Sequence, residues 1–268
     1  MTSYISLSYA DLLLASVFLA LNAGFSLLLQ LRLERQLIVS GLRLVIQLLL
    51  VGLALKTIFT LVSPWLTLLV AAVMAAFAGR EVWARQNRRF VGLWGAGLGG
   101  GAMLFAGTIV TIFALTLQIK PTPWWSPQYT LPLFGMILGN TMTGVSLGLD
   151  TLHTAVHRES IAIEAKLLLG YSKWDAMAMP LRQAVRSGFM PIINSMAATG
   201  VVSLPGMMTG QILSGVDPQE AVKYQILITL LIGGATGLGV LAATLASAWR
   251  LMDDRDRLRL DRLSAVSG

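Results

Sequence analysis

The sequence has no cysteine, and only 12 % of its 268 residues are charged, about half the roughly 25 % usual for soluble domains. Without thiols it can hold no disulfide, no thiolate metal site and no cysteine nucleophile. It has no Gly-x4-Gly-Lys-Ser/Thr loop to cradle phosphates, so it is not expected to hydrolyse ATP itself. No convergent catalytic set is apparent either, and an enzyme is not expected. Basic residues are missing from Met1 to Ala10 and no small-residue cleavage pattern follows, so no cleavable signal peptide is expected. Acidic residues are missing from the middle of the apolar runs, where an ion-driven carrier usually places them; Asp11 and Asp150 lie only at their ends.

What is abundant is apolar sequence, with a mean hydropathy of +0.71. About 20 apolar residues suffice to cross a bilayer as a helix. Seven runs qualify, at about 9–30, 38–59, 61–78, 93–117, 129–150, 189–212 and 224–249, the third being the shortest. The expected fold is therefore all-α, a polytopic bundle of about seven spans in a single domain, 1–268, with lipid as its main solvent. Lys and Arg accumulate on the cytoplasmic side of membrane proteins. An outside N-terminus places Arg32, Arg35, Arg43, Arg80, Arg85, Arg88 and Arg89 inside. Arg158, Lys166, Lys173, Arg182, Arg186, Arg250, Arg255, Arg257, Arg259 and Arg262 join them. Only Lys56, Lys120 and Lys223 fall outside, so the basic residues read as topological anchors and a nucleic-acid partner is not expected. The C-terminus, with its charged tail 250–268, is expected in the cytoplasm, and the membrane is expected to be a bacterial inner membrane.

One connection is long. Residues 151–188 are expected to form a cytoplasmic helix-turn-helix, with an amphipathic helix ending at Gly170 and a second, short helix capped by Ser172 and stopped or kinked by Pro180. Glu164, Ala165, Gly170 and Pro180 have the spacing of the coupling motif of ATP-binding-cassette permeases, which this segment resembles. In that class the motif docks on a separate ATPase subunit.

Polar groups at membrane depth are costly and mark helix contacts or a pathway. Asn22 in the first run and Gln47 in the second serve one or the other. The fifth run carries Gly135 and Gly139, and a second row of Asn140, Gly144 and Gly148, which suit close helix approach. Asn140 and Thr143 also offer oxygen ligands for a substrate path. In the sixth, Pro205-Gly206 interrupts the run before Met207, Met208 and Gln211, as broken helices do at transporter binding sites. Asp150, His153 and His157, spaced i, i+3 and i+7, form a candidate metal-entry set; the plainer reading is an interfacial helix end. The loop Lys120 to Pro127, with three prolines and Trp124-Trp125, suits a rigid connector at headgroup level.

The hairpin, the string Gly139-Asn140-Thr141-Met142-Thr143-Gly144 and the string from Pro205 to Leu213 together make the chain similar to the FetB family. That resemblance implies a permease homodimer bound to a FetA-like ATPase, with ATP and Mg on the partner and no cofactor on this chain. It implies export of iron, whereas a plant branch of the family is linked to aluminium tolerance and associated with UDP-glucose. An iron exporter is the first expectation; a UDP-sugar permease and an ion-driven secondary carrier are the alternatives.

Overall fold

The computed structural model describes residues 8–253 and 255–264. The elements are α1 (Tyr9–Leu28), α2 (Glu34–Leu61), α3 (Pro64–Ala84), α4 (Leu93–Phe113), α5 (Pro127–Arg158), α6 (Ser160–Leu168), α7 (Lys173–Ala198), α8 (Gly206–Leu213) and α9 (Pro218–Leu251). A π-helical turn, Ala114–Ile119, extends α4, and a 3-10 turn, Leu260–Arg262, lies in the tail. No strand occurs among the described residues, only isolated bridges. Among the described residues six helices are long and apolar enough to cross a membrane: α1, α2, α3, α4 with its π turn, α5 and α9. The polytopic helical bundle expected from hydropathy is the fold found.

The chain divides into two compact units, Met1–Ser63 and Pro64–Gly268. In the first, α1 starts with a capping box: Asp11 N–H donates to Ser8 Oγ, and the Asp11 carboxylate accepts from the Ser8 N–H at 2.8 Å. Ser26 Oγ donates to Glu34 at 2.8 Å and accepts from the Leu33 N–H at 2.9 Å, fixing the turn into α2. Gly41 lets Leu19 close on α2, since a Cβ there would meet Leu19 Cδ2 at 2.5 Å.

In the second unit α5 is the centre, packed against α3, α4, α7 and α9. Its antiparallel crossing with α7 is a backbone contact. A Cβ on Gly144 would lie 2.8 Å from the Gly188 carbonyl oxygen, and one on Gly188 would lie 2.8 Å from that of Gly144. Gly148 repeats the approach one turn on, 3.4 Å from the Ala184 oxygen. Small residues at four-residue spacing thus allow close packing where lipid gives helices no hydrophobic drive to associate. Gly135 belongs to the contact with α3, where its Cβ would meet Met74 Cε at 2.9 Å, and Gly139 is open.

Three expectations change. The third span continues past Gly79 and Arg80 to Ala84, and its 21 residues reach about 30 Å, enough for the bilayer core. Pro180 neither stops nor shortens the second helix of the hairpin: α7 runs 26 residues through both Pro180 and Pro191. The sixth span, 189–212, is not one helix. Its first half is the apolar end of α7, whose other half carries Lys173, Asp175, Arg182 and Arg186 and so fails as a uniform apolar run. The chain then breaks at 199–205, with Gly200 at φ +91°, and resumes as the eight-residue α8.

Candidate functional site

α5 has 32 residues, about 48 Å, longer than a bilayer core of about 30 Å requires, and its last turn carries His157 and Arg158. There it turns at Glu159 into α6. The turn of the hairpin forms where Gly170 and Ser172 place it, although its second helix is long rather than short. Gly170, at φ +87°, closes α6 in a Schellman arrangement, with the Tyr171 N–H bonded to the Lys166 oxygen at 3.1 Å and the Gly170 N–H to that of Leu167 at 3.0 Å. Ser172 Oγ accepts the Asp175 N–H at 3.2 Å and starts α7.

The hairpin has two unlike faces. Ile163 is buried in a cluster with Leu152, Val156, Ala176, Met177 and Leu251, and Leu167 packs against it. Pro180 is buried too, whereas Glu164, Ala165 and Gly170 are exposed. Beside them Ile161, Leu168 and Leu169 are 83 %, 89 % and 77 % exposed. The nine-residue helix is thus pinned by one face and leaves large apolar side chains uncovered on the other.

The Asp150, His153, His157 set does not assemble as ligands. His153 is wholly buried, and its Nδ1–H donates to the Arg88 carbonyl at 2.8 Å, because a carbonyl can only accept. Its Nε2 is then the acceptor for the Ser247 hydroxyl at 2.7 Å. Asp150 is used as well, accepting the Asn87 N–H at 2.7 Å and the Asn87 amide at 3.1 Å. Both residues therefore tie the α3–α4 loop to α5 and α9. Among the described residues no three His, Asp or Glu side chains gather where they could hold a metal.

The pathway residues fall into separate places. Asn22 and Gln47 are exposed on α1 and α2. Asn140 and Thr143 share an exposed stripe of α5 with Gly139 and Leu147. Asn140 Nδ2 donates to the Met136 oxygen at 2.8 Å and Thr143 Oγ1 to that of Gly139 at 3.1 Å, which leaves acceptor capacity on both. At the α7–α8 break, Met208 lines a cavity of about 450 Å³ with Met196, Pro205, Gln225 and Thr229, while Met207 packs into the core. The buried Oε1 atoms of Gln211 and Gln225 have no hydrogen-bond partner among the described residues. Met196, Gln225 and Thr229 were missed by sequence reasoning; a Gln and a Thr four residues apart within an apolar run were the available signal. A larger cavity of about 550 Å³, beside Trp65, Trp124 and Phe134, is almost wholly apolar.

The pattern of an uncharacterised protein family, UPF0014, matches residues 9–252. The chain belongs to the UPF0014 family. The match runs from the first residue of α1 to the residue after α9, so it takes in the hairpin and the broken helix, and the tail lies beyond it. Within UPF0014 the chain is 41 % identical to the membrane protein slr1647 of Synechocystis over 80 % of its length and 82 % of the relative's. It is 31 % identical to the probable iron export permease protein FetB of Escherichia coli, over 87 % of this chain and 88 % of that one. Protein ALUMINUM SENSITIVE 3 of Arabidopsis thaliana is 31 % identical over 83 % of this chain and 79 % of its own. The kinship with FetB expected from the two strings and the hairpin therefore holds. No solved structure matches the chain.

Proposed function

We propose that this UPF0014 member is the permease subunit of an ATP-binding-cassette exporter in a bacterial inner membrane. The α6–α7 hairpin carries the reading. Its exposed Glu164, Ala165, Leu168 and Leu169 form the dock for a separate FetA-like ATPase, which binds ATP and Mg. Its buried Ile163 passes the movement of that subunit to α5, α7 and α9. On this reading the hairpin and the tail are cytoplasmic, the N-terminus is outside, and two permease copies work together.

The cargo proposed is iron, by analogy with the E. coli relative, a probable iron export permease. The cavity at the helix break supports a small cargo: among mainly apolar side chains it offers the thioethers of Met196 and Met208, the hydroxyls of Thr199 and Thr229 and the amide of Gln225, without the cations that a sugar nucleotide's phosphates would require. Co-expression with the ATPase of a neighbouring gene tests the assembly, the expected result being co-purification that Leu168→Asp abolishes; no capture even under crosslinking would refute it. Everted vesicles given ATP and the ATPase test the cargo. Ferrous iron should accumulate, and uptake of UDP-glucose alone would replace the iron reading.

A further inference from the structure

The tail folds back where α9 leaves the apolar region. Arg259 N–H bonds to the Leu251 oxygen at 2.8 Å, Val91 N–H to that of Arg262 at 3.0 Å, and Ser264 N–H to that of Arg89 at 2.8 Å. The fold-back borders a partly open cavity of about 170 Å³, lined by Lys173, Trp249, Arg250, Met252, Asp253 and Arg262. This is room for several waters at about 30 Å³ each, or for one tetrahedral anion.

Its charges are unevenly compensated. Asp253 is saturated, accepting the Arg255 and Arg257 N–H groups at 2.9 and 2.8 Å and the Arg257 guanidinium at 2.8 Å. Lys173 has a partner in Asp256, but at 3.5 Å and half open to solvent. Arg262 spends Nη1 on the carbonyl oxygens of Arg250 and Met252. Arg250 has no carboxylate partner among the described residues. Its guanidinium is braced over the Trp94 ring at 4.7 Å, and its buried Nε has no hydrogen-bond partner among them. An arginine held rigid on an indole, with two further cations across a small polar cavity, is suited to a phosphate. The cavity lies at the end of a 34-residue apolar helix beside the exposed Trp249, the level at which lipid headgroups reside.

We propose that this cavity binds an anionic phosphate group, presented by a lipid headgroup at the membrane boundary or by a soluble phosphate. The site is independent of the cargo and touches the first residue of α7, so its occupancy would brace the hairpin. The full chain, purified in detergent, is tested in two arms. Native mass spectrometry compares retained phosphatidylglycerol with phosphatidylcholine, and calorimetry titrates inorganic phosphate. Preference for phosphatidylglycerol, reduced about fivefold or more in Arg250→Gln and kept in Arg250→Lys, assigns the lipid source. Saturable phosphate binding with the same pattern assigns the soluble one. Lys173→Gln, a partly exposed position, reads the same cavity if Arg250→Gln does not yield a monodisperse protein. Failure of the wild type to bind either ligand selectively, or binding unchanged in both Gln variants, overturns the proposal.

Discussion

The two ends of α7 are built in opposite ways. At the N-terminal end every device is one of fixation: Ser172 caps the helix, Gly170 closes the helix before it, Ile163 and Met177 share one core, and the tail ties Lys173 through Asp256. At the C-terminal end the helix stops short, the chain turns at Gly200, and a cavity opens beside Gln225, whose side-chain oxygen has no partner among the described residues. Buried polar groups without partners cost about 1–3 kcal/mol each, so they persist where something else uses them. The proposed docking end is thus the anchored one, and the proposed cargo end is the open one. Between them lies the Gly144–Gly188 crossing, where α7 and α5 meet backbone to backbone.

The largest effect is expected at the stiff end. Ile163→Ala removes a fully packed anchor and should cost about 2–5 kcal/mol, read as a lowered midpoint of thermal unfolding in detergent. An unchanged midpoint would mean that the hairpin is not held by its core face. Next comes Gly188→Leu, which drives a side chain into the Gly144 carbonyl; overpacking of about 1–3 kcal/mol should lower stability and transport together. Loss of transport at full stability would instead give Gly188 a role in the cargo path.

Gln211→Met sharpens the contrast from the other end. Removing a buried oxygen without a partner should raise stability by about 1 kcal/mol while slowing transport, and a loss of stability would show that the oxygen is already satisfied. Leu168→Asp, at a position 89 % exposed, should shift stability by less than about 0.5 kcal/mol and still prevent ATPase capture.

The smallest effect is that of acid on the tail. The Arg257 N–H first, then its guanidinium and the Arg255 N–H, hold the Asp253 carboxyl down to about 2. A depressed carboxylate adds stability that is present above its ordinary value of 3.8 and is lost as pH falls towards about 2. Hydrogen exchange in the tail should therefore stay protected at pH 5 and rise only in strong acid. Opening near pH 6 would point to another group.

Much of this was legible because local chemistry dictates it. The capped hairpin follows from Gly170 and Ser172 within a few residues of chain, and the apolar runs follow from what a bilayer demands of any backbone. Of the stop or kink expected at Pro180, the stop is absent: a proline inside a helix removes one backbone hydrogen bond, and α7 continues through it packed along α5. The metal set failed because helical spacing places three side chains on one face but cannot say which neighbours claim them. Arg88 and Ser247, both far from His153 in sequence, claim both of its nitrogens.

The sequence alone determined that this is a polytopic helical protein and where its hairpin turns, since transfer of apolar side chains to lipid and capping of helix ends depend on neighbours along the chain. Only the tertiary structure decided that the break flagged by Pro205-Gly206 extends over 199–205 and leaves α8 a separate helix. It also decided that Gly144 and Gly188 meet, that His153 is structural, and that three cations face one small cavity. Those outcomes depend on which distant groups arrive to fill a vacant bond or a vacant space.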